Sequence, residues 1–119
     1  MRKAKVMIID DNADFTDELK ETLAACDYEV EVCNDSKSAV KKISKTMPDV
    51  VLMDMKMPGK SGLEVAYELK RNRDTARITI IAMSAFYIEK ETLRVCGIES
   101  SITKPFNPVD IINRIEQAI

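Results

Sequence analysis

Asp10 and Asp11 follow directly on the apolar run Val6-Met7-Ile8-Ile9, and Asp54 follows directly on Val50-Val51-Leu52-Met53. A single aspartate behind such a run is usually a turn former or a helix cap. Three of them brought to one place would repel one another and hold their protons more tightly unless a cation sat between them. An all-oxygen, carboxylate-rich, hydrated set of ligands suits Mg²⁺ or Mn²⁺ rather than zinc. Two further residues belong with them: Ser84, which closes Ile78-Thr79-Ile80-Ile81-Ala82-Met83, and Lys104, which precedes Pro105 and Phe106. Alone, Ser84 reads as a turn residue and Lys104 as a solvated surface lysine. A carboxylate nucleophile, a divalent cation, a hydroxyl donor and a lysine together make a phosphoryl-transfer site, in which charge neutralisation and positioning dominate.

Composition narrows the chemistry further. The chain contains no histidine, which removes Ser-His and Cys-His catalysis and the commonest metal ligand. Cys26, Cys33 and Cys96 are odd in number and lack CxxC spacing, so they read as free thiols in a reducing compartment rather than disulfides or a zinc site. A net charge of −2 with no basic tail disfavours direct nucleic-acid binding, whose affinity rests on phosphate contacts. No apolar run is long enough to span a bilayer, and the basic start, Met1 to Lys5, lacks the long apolar stretch of a signal peptide. The expected location is cytoplasmic. At 119 residues the chain has room for one domain, expected over residues 1–119.

The elements that must position these residues alternate along the chain. The three apolar runs read as strands covered on both faces. Glu29-Val30-Glu31-Val32-Cys33 alternates polar and apolar, and Glu99 to Thr103 is polar except at Ile102, so both read as edge strands. Phe15, Leu19, Leu23 and Cys26 fall at helical spacing, as do Ala39, Val40, Ile43 and Met47. Ser61-Gly62-Leu63-Glu64 is a capping-box start for a helix carrying Leu63, Ala66 and Leu69. Asn107 and Pro108 predict an N-cap and first helical residue leading into Ile112, Ile115 and Ile119. Ile88 to Cys96 carries the weakest helical pattern. The sum is an α/β, doubly wound (βα)5 fold with a parallel sheet and helices on both faces. Three covered and two edge strands fit the flavodoxin-like order 2-1-3-4-5, whose switch point lies between the first and third strands. Function should sit where those strands end, beside Asp10, Asp11 and Asp54.

Ile9-Asp10-Asp11-Asn12, Asp54-Met55-Lys56-Met57-Pro58-Gly59, Ser84-Ala85 and Lys104-Pro105-Phe106 resemble the response-regulator receiver domain (CheY-like) of two-component phosphorelay systems. The resemblance covers essentially the whole chain. It implies that Asp54 accepts a phosphoryl group in a Mg²⁺-dependent reaction. It also implies metal ligands at Asp11, at Asp10 largely through water, at Asp54, and at the Lys56 backbone carbonyl. Ser84 and Lys104 would each meet a phosphoryl oxygen, and the Lys104–Pro105 bond would be cis. The implied donor is a sensor histidine kinase or a phosphotransfer protein. The implied target is a separate protein or a fused output domain, met by a monomer or weak dimer. Such a domain is not a dedicated enzyme, although it catalyses its own phosphorylation and slow dephosphorylation.

Against the family pattern, Ser101 stands three positions before Lys104 where an aromatic residue is usual. Phe86 or Tyr87 would be the substitutes, from the loop after the fourth strand. The segment between Ser84 and Lys104 is slightly shorter than the family's, which predicts a short or displaced fourth helix. Lys56 and Phe86 flank the path of an attacking water and should obstruct it. Three other readings compete. A receiver that works as a binding module without phosphorylation is favoured by the change at Ser101 and opposed by the intact set Asp10, Asp11, Asp54, Ser84 and Lys104. A haloacid-dehalogenase-type phosphatase needs a second aspartate two residues after the nucleophile, where Lys56 stands. A flavin or nucleotide binder wants a phosphate-cradling loop after the first strand, where Asp10 and Asp11 would repel phosphate.

Overall fold

The computed structural model describes residues 4–119; Met1 and the basic residues Arg2 and Lys3 lie outside that range. Strands and helices alternate throughout: β1 (Lys5–Ile9), α1 (Ala13–Ala25), β2 (Glu29–Cys33), α2 (Ala39–Thr46), β3 (Val50–Asp54), α3 (Gly62–Arg71), β4 (Thr79–Ser84), α4 (Lys90–Cys96), β5 (Ser100–Thr103) and α5 (Pro108–Ala118). The strands form one parallel sheet in the order β2-β1-β3-β4-β5, as the apolar patterning predicts. Val6 to Ile9 and Val50 to Met53 are fully buried, because helices cover both faces of the central strands. None of the helices among the described residues is long and apolar enough to cross a membrane.

Alternate strand residues feed two cores. Met7, Ile9, Val51, Met53, Ile80 and Ala82 pack under Ile43 of α2, Val65 and Leu69 of α3, and Leu93 of α4. Val6, Ile8, Leu52 and Met83 pack under Leu19 and Leu23 of α1 and Ile111 and Ile115 of α5. Each large apolar side chain so buried contributes about 1.5–3 kcal/mol against the chain entropy. The edge strand β2 is half-exposed, and Lys42 Nζ donates to its Val32 carbonyl at 2.5 Å.

Strand register sets the geometry of the functional edge. Ile9 pairs with Met53, so Asp10 and Asp54 leave their strands side by side. Asp54 pairs with Met83 and Ser84 with Thr103, so Ser84 and then Lys104 follow one step further along.

Local details refine the sequence reading. The capping box of α3 is present: Glu64 N–H donates to Ser61 Oγ at 3.2 Å, and Ser61 N–H donates to Glu64 Oε1 at 3.4 Å. Asn107 and Pro108 occupy the predicted positions at the start of α5, but the Asn107 side chain makes no capping bond. The amide it would cap, Asp110 N–H, is already held by the Asn107 carbonyl at 2.9 Å. The fourth helix is short, at seven residues, and starts at Lys90 rather than Ile88. Glu89 is extended and supplies no side-chain cap, while Ile88 packs against the core beside it.

Candidate functional site

The carboxyl ends of two strands, β1 and β3, carry the acidic residues. A carboxylate oxygen from each of Asp10, Asp11 and Asp54 lies within 4.8 Å of the others. Asp10 is only 1% exposed and Asp54 8%, whereas Asp11 faces solvent. Every polar group of Asp10 is engaged. Its amide donates to the Cys33 carbonyl at 3.2 Å, and its own carbonyl accepts from Asn34 Nδ2 at 2.7 Å. Its Oδ1 accepts from Asn12 N–H at 3.0 Å and its Oδ2 from Lys104 Nζ at 2.6 Å. Asn12 then caps α1, its Oδ1 accepting from Phe15 N–H at 3.0 Å. The amides of Asn12 and Phe15 are thus paired as the chain turns into the helix.

Asp54 is held less tightly. Lys56 N–H approaches its Oδ1 at 3.5 Å, and Lys104 Nζ stands 3.8 Å from the same oxygen. Burial pushes its carboxyl above the ordinary carboxylate range, and the Asp10 charge adds to that. Lys104 and the Lys56 amide oppose the rise, and Asp11 reinforces it. The resulting pocket holds three carboxylates against one lysine, with oxygen donors only. That set fits a hard divalent cation, which the excess negative charge also favours.

Lys104 is aimed inward by its surroundings. Its backbone N–H donates to the Ser84 carbonyl at 2.7 Å, and the Lys104–Pro105 bond is cis. The ammonium lies 4.4 Å from the centroid of the Phe15 ring, which meets Phe106 edge-on at 6.0 Å. Ser84 is buried, and its Oγ accepts from Phe86 N–H at 3.0 Å; no hydrogen bond joins it to Asp54. The structure therefore brings Asp10, Asp11, Asp54 and Lys104 into one cluster, with Ser84 beside it and bonded elsewhere.

The sequence model of the response regulator receiver domain matches residues 6–116. The chain belongs to that family. Its sequence is 31% identical over 116 residues to the phosphate regulon transcriptional regulatory protein PhoB of Pseudomonas aeruginosa, covering 96% of this chain and 51% of PhoB. The chain thus spans about half the length of that relative. Among solved structures, the chemotaxis response regulator CheY4 of Vibrio cholerae superposes with a TM-score of 0.90 at 25% identity, covering 98% of each chain. The receiver domain of sensor histidine kinase PA1611 from Pseudomonas aeruginosa shares the fold, with a TM-score of 0.85 at 22% identity over 96% of this chain and 95% of that one. That structure carries a magnesium ion coordinated in its active-site cleft.

Several residues of this receiver domain that support the site escape a reading of the sequence. Asn34 ties β2 to the Asp10 carbonyl and to Thr16 Oγ1 at 3.0 Å. Phe15 carries the Lys104 ammonium; its place one helical turn before Leu19 marks it as core, with no local sign of the lysine. Gly62 does have a local signal, since glycine is a poor helix residue and here opens α3 inside a capping box. A Cβ at Gly62 would meet the Asp54 carbonyl oxygen at 2.4 Å and Met55 Cα at 2.8 Å, so the close approach demands glycine.

Where the family commonly has an aromatic residue, Ser101 lies half-buried on β5, its carbonyl accepting from the Arg114 guanidinium. Phe86 and Tyr87, the substitutes expected from sequence, are 65% and 76% exposed.

Proposed function

We propose that residues 1–119 form a single receiver domain that accepts a phosphoryl group on Asp54 and thereby switches a protein-interaction surface. The observation that carries this reading is the Asp54 carboxylate at the end of β3, with the Asp10 and Asp11 carboxylates within 4.8 Å and Lys104 Nζ at 3.8 Å. The donor is a phosphohistidine on a sensor histidine kinase or phosphotransfer protein; these 119 residues contain no histidine to supply it. The recipient of the signal is a separate protein target or a fused output domain, reached in the cytoplasm by a monomer or weak dimer. Neither nucleic acid nor membrane is contacted directly. The domain is not a dedicated enzyme.

In the reaction an oxygen of Asp54 attacks phosphorus, the P–N bond to the donor imidazole breaks, and an acyl phosphate forms. Asp10, Asp11, Asp54 and the Lys56 backbone carbonyl are the residues that would hold Mg²⁺ or Mn²⁺. When bound, the ion supplies positive charge that keeps the carboxylates ionised and offsets charge on the phosphoryl oxygens. Lys104 is already inside the pocket on Asp10 and within reach of Asp54, so it needs little reorganisation to pair with a phosphoryl oxygen. Ser84 Oγ accepts from Phe86, which leaves its hydroxyl hydrogen available for another phosphoryl oxygen. Lys56 and Phe86 flank the outer approach and slow hydrolysis of the acyl phosphate.

Incubation with Mg²⁺ and a small phosphoramidate, followed by intact mass, tests the assignment. We expect one added phosphoryl group in the wild type and none in Asp54→Asn. No gain in the wild type, or an equal gain in the variant, would overturn it.

A further inference from the structure

Two lysines of the acidic edge, Lys104 and Lys56, each carry the ammonium against a phenyl ring. Lys104 Nζ is 4.4 Å from the centroid of Phe15, and Lys56 Nζ is 5.3 Å from that of Phe86. They differ in what else they hold. Lys104 is bonded to Asp10 and faces Asp54. Lys56 makes no ion pair among the described residues, so the Phe86 ring is the group its ammonium rests on. Phe86 is itself tied to the pocket floor, since its N–H donates to the buried Ser84 hydroxyl at 3.0 Å. The contact therefore links the residue two positions after Asp54 to the residue two positions after Ser84.

We propose that Phe86 is a positioning residue that parks the Lys56 ammonium beside the pocket in the unphosphorylated protein, and that phosphorylation of Asp54 separates the pair. The proposal rests on the reading of Asp54 as phosphoacceptor. An ammonium over an exposed phenyl face is weakly held. A phosphoryl group brings about two negative charges and offers a charge-assisted hydrogen bond, which is stronger. Lys56 starts close to that new charge, its amide already 3.5 Å from Asp54 Oδ1. The other end of the contact responds to the same event. When the Ser84 hydroxyl donates its hydrogen to a phosphoryl oxygen and moves toward it, the Phe86 backbone bonded to that hydroxyl is carried along. The Phe86 ring then leaves Lys56 and rearranges an exposed apolar surface that includes Tyr87. Ser101 has too small a side chain to report the movement, whereas Phe86 is bonded to the hydroxyl that moves.

The ε-methylene protons of Lys56, observed by lysine-selective ¹³C labelling, report the contact, because a group over a ring face is shifted upfield. In the resting wild type these resonances are expected upfield of the other lysines, and Phe86→Leu should return them to the common position. They should also return in the wild type once intact mass shows one phosphoryl group gained on treatment with a phosphoramidate and Mg²⁺. An upfield shift that persists in a fully phosphorylated sample, or none in the resting protein, overturns the proposal. An unchanged mass overturns the phosphoacceptor reading itself, and the switch falls with it whatever the resting spectrum shows.

Discussion

At Asp54, burial and the neighbouring Asp10 charge favour the protonated carboxyl, and Lys104 with the Lys56 amide opposes them only in part. The folded state therefore binds a proton there more tightly than the unfolded chain does. Stability linked to this group is fully present below the ordinary carboxylate pKa and is lost as pH rises through the raised folded value. Above that raised value the metal-free protein carries the whole penalty, so Asp54→Asn should be the more stable protein there. Its advantage should shrink as pH falls through the raised value; urea midpoints with chelator present at neutral and acidic pH measure this. A second residue-scale prediction concerns Lys56 and Phe86, which stand two positions after Asp54 and Ser84 and flank the approach of an attacking water. Replacing both by alanine should speed acyl-phosphate hydrolysis roughly tenfold, about 1.4 kcal/mol of barrier, read from the decay of the phosphorylated mass. The acidic residues, Ser84 and Lys104 were legible because each stands at a strand end or closes an apolar run, so strand order alone assembles them. Asn34 and Phe15 were not, because their partners Asp10 and Lys104 are distant in sequence and no local pattern encodes the contact.

Among the elements, α3 shows how closely packing ties the scaffold to the site. Its capping box places Gly62 at the first helical position, directly against the backbone of Asp54 and Met55. A methyl group there has nowhere to go except by pushing backbone away from backbone. Gly62→Ala should therefore destabilise the protein by about 1–3 kcal/mol, the usual range for overpacking, although alanine is intrinsically the better helix former. Because the displaced atoms belong to Asp54, the proposed phosphoacceptor, and to Met55 beside it, the variant should also gain its phosphoryl group more slowly. Denaturant midpoints and the time course of the mass shift read the two effects separately. The start of α3 was legible from Ser61 and Glu64, because a capping box is a local device. Asn107 and Pro108 open α5 where the sequence places them, but the Asn107 side chain makes no cap, because its own backbone carbonyl takes the Asp110 amide. The fourth helix was the least legible, since it is two turns long, begins without a side-chain cap, and buries only Leu93.

For the whole molecule, three doubly covered strands and two half-exposed ones left little freedom in sheet order, and that order converges the strand ends on one edge. The same convergence places three carboxylates beside one lysine, an arrangement that destabilises the fold unless positive charge is added. A divalent cation that binds the folded pocket and not the unfolded chain must then stabilise the protein by mass action. At a hundred times its dissociation constant, Mg²⁺ should add about 2.7 kcal/mol. For a domain of this size that corresponds to a rise in Tm of roughly 10 °C, reversible by chelator. Asp11→Asn separates this effect from general salt stabilisation. Asp11 is solvent-exposed, so its replacement should move the metal-free stability by less than about 0.5 kcal/mol. It should nevertheless remove most of the rise caused by Mg²⁺. Protons and the cation compete for the same carboxylates, so the Mg²⁺-dependent rise should also diminish as pH falls into the raised range of Asp54. Thermal melts of both proteins with Mg²⁺, and with sodium chloride at matched ionic strength, measure these terms. An equal rise in Asp11→Asn, or a rise reproduced by sodium alone, would show that the acidic edge does not select a divalent ion.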